Sequence, residues 1–183
     1  MTSPPPSRFR TWLQLFRAPN LFTVPGDPLA GYLFANNGFV DLSLALVIGA
    51  SLAFYMAGLL MNDLADEAED RRERPNRPLP SGAASRSAVI AAMLGLFTLG
   101  LFLLLRTHSG GAVYCGIAVI CAITLYNFAT KHWPFIGAVN MGLCRGLSVL
   151  LGGFAGPLAI HGMAIFPMLA IGIYIAVVTN LAR

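Results

Sequence analysis

Residues 42–82 read LSLALVIGASLAFYMAGLLMNDLADEAEDRRERPNRPLPSG. The stretch opens as a long apolar run, 42–64, and closes in Asp63–Glu73, which holds six of the eight acidic residues in the chain. Arg71-Arg72-Glu73-Arg74-Pro75-Asn76-Arg77-Pro78 comes next. A membrane-crossing helix needs about 20 apolar residues. Strands of a membrane barrel would instead alternate polar and apolar over about ten, and this run does not alternate. The stretch therefore reads as a transmembrane helix that ends in acid and then base at the membrane edge. That order of charges points to a metal ion and a phosphate.

The rest of the chain agrees with the membrane reading. Of 183 residues, 56% are hydrophobic and 11% charged, with mean hydropathy +0.69; soluble domains carry about 25% charged residues. Apolar runs recur at 12–36, 42–64, 86–105, 111–131, 135–157 and 163–182. The predicted fold class is all-α, a polytopic transmembrane bundle of about six helices. Residues 1–10 read as a Pro-rich disordered tail and 11–183 as one helical membrane domain. No small-residue cleavage site follows the first run, so a removed signal peptide is not expected.

The net charge of +4 does not call for nucleic acid; the positive-inside rule accounts for it. With six spans and a cytoplasmic N-terminus, the inner side carries Arg8, Arg10, Arg17, Arg71, Arg72, Arg74, Arg77, Arg86, Lys131 and Arg183. The outer side carries Arg106, and Arg145 falls within a span. This predicts a multi-pass protein of the cell inner membrane, with the acidic stretch facing the cytoplasm. Cys115, Cys121 and Cys144 lie inside apolar runs without metal-ligand spacing and read as packing residues.

Several local signals refine the pattern. Pro19, Pro25 and Pro28 interrupt the first run, with Asp27 among them as a helix cap or a buried carboxylate, the cap being preferred. Ser85 is placed to cap the third span. Gly142 and Gly146, like Gly152 and Gly156, are four apart, as in closely packed membrane helices.

Asn62, Asp66 and Asp70 are also spaced by four and stack on one face of a continuous helix, with Asp63 flanking them. Like charges at that spacing repel, and carboxylates at a helix C-terminus oppose its dipole. A cation must compensate. Mg²⁺ fits, since it shares itself between one or two carboxylates and substrate phosphates; pairing with Arg71, Arg72 and Arg74 is the alternative. Arg74 and Arg77 stand among prolines that stiffen the loop, and guanidinium groups bind phosphate bidentately. Lys131 ends the fourth run on the same side. Arg145 lies about two turns into the fifth, where a charge is costly and marks function or an interhelical ion pair. Together these groups are suited to enclose a diphosphate, its apolar remainder lying between helices. Phe54, Tyr55, Tyr126, Phe128 and Tyr174 are candidate cavity aromatics.

At these residues the chain resembles the UbiA superfamily of intramembrane prenyltransferases. Asn62-Asp63-x-x-Asp66-x-x-x-Asp70 is similar to its first aspartate-rich motif, and Arg74 to Gly82 to the loop after that motif. Arg17-x-Pro19-Asn20 resembles the entry to its first helix, and Tyr126 to Lys131 its tyrosine–lysine element. The resemblance implies Mg²⁺-dependent transfer of a prenyl group from a prenyl diphosphate to a lipophilic, often aromatic, acceptor. By matching positions it implies Asn62, Asp66 and Asp70 as metal ligands supported by Asp63, and Arg74, Arg77 and Lys131 as diphosphate contacts. Asp66, Asp70, Lys131 and Arg145 are the expected catalytic set, and Asn20, Arg74, Arg77, Tyr126, Lys131 and Arg145 the expected substrate contacts.

Members are expected to have nine membrane helices and a second aspartate-rich motif after the sixth. No acidic residue follows Glu73 here. The expectation is thus a C-terminally truncated, six-helix portion, with a missing segment or partner chain. The alternative is an inactive or incomplete relative serving as a scaffold or binding protein. A CDP-alcohol phosphotransferase is disfavoured, because residues 62–74 lack its Asp-Gly start and its Ala-Arg and Gly. A cation carrier would place acids near the midplane rather than beside arginines at one rim.

Overall fold

The computed structural model describes residues 7–157 and 161–182. Met1–Pro6 of the expected tail and Arg183 of the expected inner charges lie outside the described residues. The architecture is all-helical, with no strand among the described residues. In order, the elements are α1 (Arg8–Leu15), a 3-10 turn (Ala18–Thr23), α2 (Gly26–Ala35), α3 (Leu42–Ala65), α4 (Glu67–Glu73), α5 (Arg86–Leu105), α6 (Gly110–Leu125), a π turn (Tyr126–Thr130), α7 (Pro134–Ala155), a second 3-10 turn (His161–Ala164) and α8 (Ile165–Leu181).

Five of these, α3, α5, α6 with its π turn, α7 and α8 with the end of its 3-10 turn, are long and apolar enough to cross a membrane. The apolar region 12–36 is not a single helix. Pro19 and Pro25 break it into three short pieces, because each proline lacks an N–H and cannot follow a helical residue freely. Helix starts at Arg8, inside the stretch 1–10 read as a tail, where the Ser7 hydroxyl caps α1 by accepting from the Arg10 N–H at 3.4 Å. Ser85 caps α5 as anticipated.

The burial pattern inverts that of a water-soluble bundle. The very apolar α5 and α8 are the least buried of the five long helices, at 17% and 11% of their apolar windows. Phe102, Leu105, Phe166 and Ile173 point outward. Such surfaces call for a membrane or protein partner, and helices this long and apolar suit hydrocarbon. The chain is an integral, multi-pass membrane protein.

Inside the bundle α3 packs on α5, while α7 packs on α2, α6 and α8. Tyr32, Val47, Phe54, Leu104 and Leu151 fill the main core. A smaller cluster joins Leu15 of α1 and Leu60 of α3 to Leu79 and Ala84 of the loop and Val89 of α5. This second cluster pins the loop over the end of α3 and fixes where its arginines stand.

The α2–α7 seam is a backbone-to-backbone contact. A Cβ at Gly152 would run into the Pro28 carbonyl, and one at Gly31 into that of Val149. Main-chain atoms cannot step aside. Gly152→Ala is expected to cost at least about 1–3 kcal/mol, the range for forced overpacking. The check is a lowered unfolding midpoint in detergent, with Gly95→Ala, where a Cβ meets open space, as the control.

Candidate functional site: an ionic mouth above an apolar cavity

The aspartate-rich stretch does not form one continuous helix. α3 ends at Ala65, Asp66 sits at the break, and α4 restarts at Glu67. The break reverses the dipole problem. Glu67, Glu69 and Asp70 become first-turn acids of a new helix, and Arg71 and Arg72 its last-turn bases, each at the favourable end. The four-residue ladder survives in the backbone: the N–H groups of Asp66, Asp70 and Arg74 donate to the carbonyls of Asn62, Asp66 and Asp70 at 2.8–2.9 Å.

The side chains divide differently from the expected single stripe. Asn62 pairs with Asp66, donating from Nδ2 to Oδ2 at 2.8 Å, and the Lys131 ammonium meets Asp66 Oδ1. On the other side stand Asp63 and Asp70, two turns apart. Arg77 donates to Asp70 at 2.7 Å and lies 4.0 Å from Asp63. Arg17 reaches Asp63 at 3.2 Å, and Arg74 lies 3.9 Å from Asp70. Positions seven apart fall on one helix face, so Asp63 and Asp70 share Arg77, while Asn62 and Asp66, four apart, pair with each other. Among the described residues, no group of three or more His, Cys, Asp or Glu side chains converges to hold a metal ion.

Glu67 has a role the sequence did not reveal. Its buried carboxylate accepts from Arg71 at 2.7 Å and from Arg86 at 2.5 Å, tying α4 to the start of α5. The hydrogen bond from Arg71, with Arg86 adding to it against desolvation, holds the carboxyl below its ordinary value. A depressed carboxyl stabilises the fold above its unfolded value and loses that contribution as pH falls through the folded one. Between about pH 5 and pH 3, wild type is therefore expected to lose more stability than Glu67→Gln. Parallel acid-denaturation curves for the two would contradict this role.

Two cavities meet at this end of the bundle. The outer one, about 520 Å³, is lined by Arg17, Asp63, Arg74, Arg77 and their neighbours. The inner one, about 210 Å³, lies between α2, α3, α6 and α7. Its walls include Phe54, Tyr55, Val119, Ile123, Tyr126 and Met141, with Asn62 and Arg17 among the polar groups. Arg17 borders both cavities. It stands in a left-handed backbone conformation (φ 46°) at the turn between α1 and the first 3-10 turn.

Of the predicted residues, Asp63, Arg74 and Arg77 line the outer cavity and Asn62 and Tyr126 the inner one, while Asp66, Asp70 and Lys131 line neither and join them through ion pairs and a hydrogen bond. Asn20 lies apart: it is exposed, and its backbone carbonyl accepts from the Thr23 hydroxyl. Phe128 and Tyr174 face outward at 65% and 62% exposure. Arg145 reaches the inner cavity rather than the mouth, and its partner is Asp27: Nε lies 2.7 Å from Oδ2 and Nη2 donates to Oδ1 at 3.1 Å. Asp27 makes no cap hydrogen bond. A charged donor in an apolar interior outcompetes a backbone N–H, by about 1.5–3 against 0.5–1.5 kcal/mol. Asn127 was missed as well. The π turn, in which the Lys131 N–H bonds back to Tyr126, places it in the cavity wall.

Residues 28–181 match the UbiA prenyltransferase family. The chain belongs to that family. Among its relatives is the digeranylgeranylglyceryl phosphate synthase of Methanoregula boonei, 35% identical over 127 residues, covering 68% of this chain and 44% of that protein. The enzyme of the same name from Methanococcoides burtonii is 31% identical over 167 residues, covering 85% and 56%. A solved structure described by its work on the biosynthesis of digeranylgeranylglyceryl phosphate synthase in membranes superposes with a TM-score of 0.80 at 27% identity. That match covers 96% of this chain and 61% of the other. The chain spans about half the length of the curated relatives it matches.

Proposed function

We propose that this chain binds a prenyl diphosphate with Mg²⁺ and takes part in transfer of the prenyl group to a lipophilic acceptor inside the membrane. The supporting observation is the joining of an ionic mouth to an apolar cavity through Arg17 and Asn62. A charged head and an oily tail need that juxtaposition.

The donor set fits Mg²⁺ as an ion shared with substrate. Asn62, Asp63, Asp66 and Asp70 offer hard oxygen atoms, and Mg²⁺ is usually held by one or two carboxylates plus phosphates and water rather than by an all-protein cage. Asn62 with Asp66, and Asp63 with Asp70, are the residues that would hold it. Bound there, it would neutralise charge developing on the departing diphosphate.

The chain's own groups do the rest. Arg74, Arg77 and Lys131 are the cations that would donate to diphosphate oxygens. Phe54, Val119, Ile123 and Met141 exclude water from the allylic carbon as it gains cationic character. Tyr55 and Tyr126 line the same wall, and aromatic rings favour such a carbon.

The test is binding of geranylgeranyl diphosphate to the full chain in lipid nanodiscs. Saturable binding that EDTA removes supports the proposal. Binding indifferent to EDTA, or none, overturns it in favour of a scaffold. The proposed orientation puts the N-terminus and the 74–85 loop in the cytoplasm of a cell's inner membrane. A cysteine at Asn76 that a membrane-impermeant reagent labels in intact cells would reverse it.

A further inference from the structure

The inner cavity has a polar wall that diphosphate binding leaves unused. Asp27 on α2 and Asn127 in the π turn are 5% and 3% exposed. The Nδ2 of Asn127 donates to the Ile123 carbonyl at 2.9 Å. That bond fixes which way the amide points and leaves its buried Oδ1 with no hydrogen-bond partner. Across the cavity, Asp27 Oδ2 and Arg145 Nε are in ionic contact at 2.7 Å, yet neither is satisfied by a hydrogen bond. Buried polar atoms normally have partners, and each exception asks for an explanation.

We infer that Asp27, Arg145 and Asn127 form the acceptor subsite, and that it takes an uncharged hydroxyl compound. The inference rests on the prenyl-transfer reading above. Asn127 Oδ1 awaits a donor, and a hydroxyl supplies one beside the Asp27–Arg145 ion pair. Charge decides against an anionic acceptor. Arg145 is already neutralised by Asp27, so a carboxylate or phosphate would have to displace a buried partner and leave Asp27 unpaired, which is strongly unfavourable. Arg17, the third charged residue of the wall, is engaged by Asp63 at the mouth. The named product of the relatives carries a phosphate, so the inferred preference sets this chain apart from them.

The experiment uses the full chain in nanodiscs, preloaded with geranylgeranyl diphosphate and Mg²⁺, against empty nanodiscs as baseline. The probes are 1-O-hexadecylglycerol and its 3-phosphate. The uncharged probe is expected to bind at least tenfold more tightly. Asp27→Asn is expected to reverse that order by leaving Arg145 unneutralised, which loss of packing alone would not do. Asn127→Leu is expected to weaken the uncharged probe about tenfold, the scale of one buried hydrogen bond. If Asp27→Asn does not fold, the wild-type comparison and Asn127→Leu still decide. Equal or tighter binding of the phosphate by wild type overturns the inference, as does absence of binding by the uncharged probe. Donor binding measured alone separates the failures. Its loss in wild type defeats the prenyl-transfer reading, whereas its persistence without preference for the uncharged probe defeats the acceptor assignment only.

Discussion

Replacing Asp66 or Asp70 by alanine is expected to lower Mg²⁺-stimulated binding of geranylgeranyl diphosphate by more than about 100-fold. Loss of an outer partner of a metal ligand already costs about 10–100-fold, and these variants remove the ligand itself. The geometry makes the expectation sharper than simple loss. Each aspartate also restrains a cation: Asp66 meets Lys131, and Asp70 accepts from Arg77 at 2.7 Å. Taking away the carboxylate removes one restraint on that cation and leaves more of its charge for phosphate. The metal-stimulated part of binding is therefore expected to vanish while a weaker, EDTA-insensitive part grows. Titrations with and without EDTA read the two parts separately. Undiminished stimulation by Mg²⁺ in both variants would refute the assignment of these residues as ligands.

Arg77→Ala acts from the opposite side of the same contact. Arg77 is the group that stands between Asp63 and Asp70, and Asp70 is only 3% exposed. Without the guanidinium, a buried carboxylate keeps only the more distant Arg74, at 3.9 Å. Diphosphate binding is expected to fall roughly 10- to 100-fold, since a charge-assisted hydrogen bond contributes about 1.5–3 kcal/mol. A neutral prenyl alcohol such as geranylgeraniol is expected to lose less than threefold. Equal losses for the two ligands would show that Arg77 supports the fold rather than the phosphate. Arg77→Lys is expected to recover part of the affinity, because it restores the charge without the planar fork.

The membrane helices were legible because the spans are long and apolar, and nothing competes with that signal. α3, α5 and α7 start and stop within a residue or two of the apolar runs. The mouth was legible in its membership, since acids and bases crowd together in sequence. Its internal pairing was not. The four-residue repeat read as one stripe, whereas the chain pairs Asn62 with Asp66 and sets Asp63 and Asp70 on either side of Arg77. The Asp27–Arg145 pair joins residues 118 positions apart, and local pattern carries no trace of such a meeting. The π turn at Tyr126 was equally hidden, because one extra residue in a helical turn leaves no compositional mark. Asn20 was overvalued for standing beside Arg17; only Arg17 points inward to both cavities.

The glycine-lined seam between α2 and α7 also bears on how the protein is made. α2 owes most of its contacts to α7 and few to its immediate successor α3, and membrane segments emerge in chain order. The opening helical fragments must therefore wait, without their docking surface, until residues 134–155 have been synthesised and inserted. Until then Asp27 has no counter-ion, and the cavity it borders has no fourth wall. The compartment closes late, by the return of a distant helix onto the beginning of the chain.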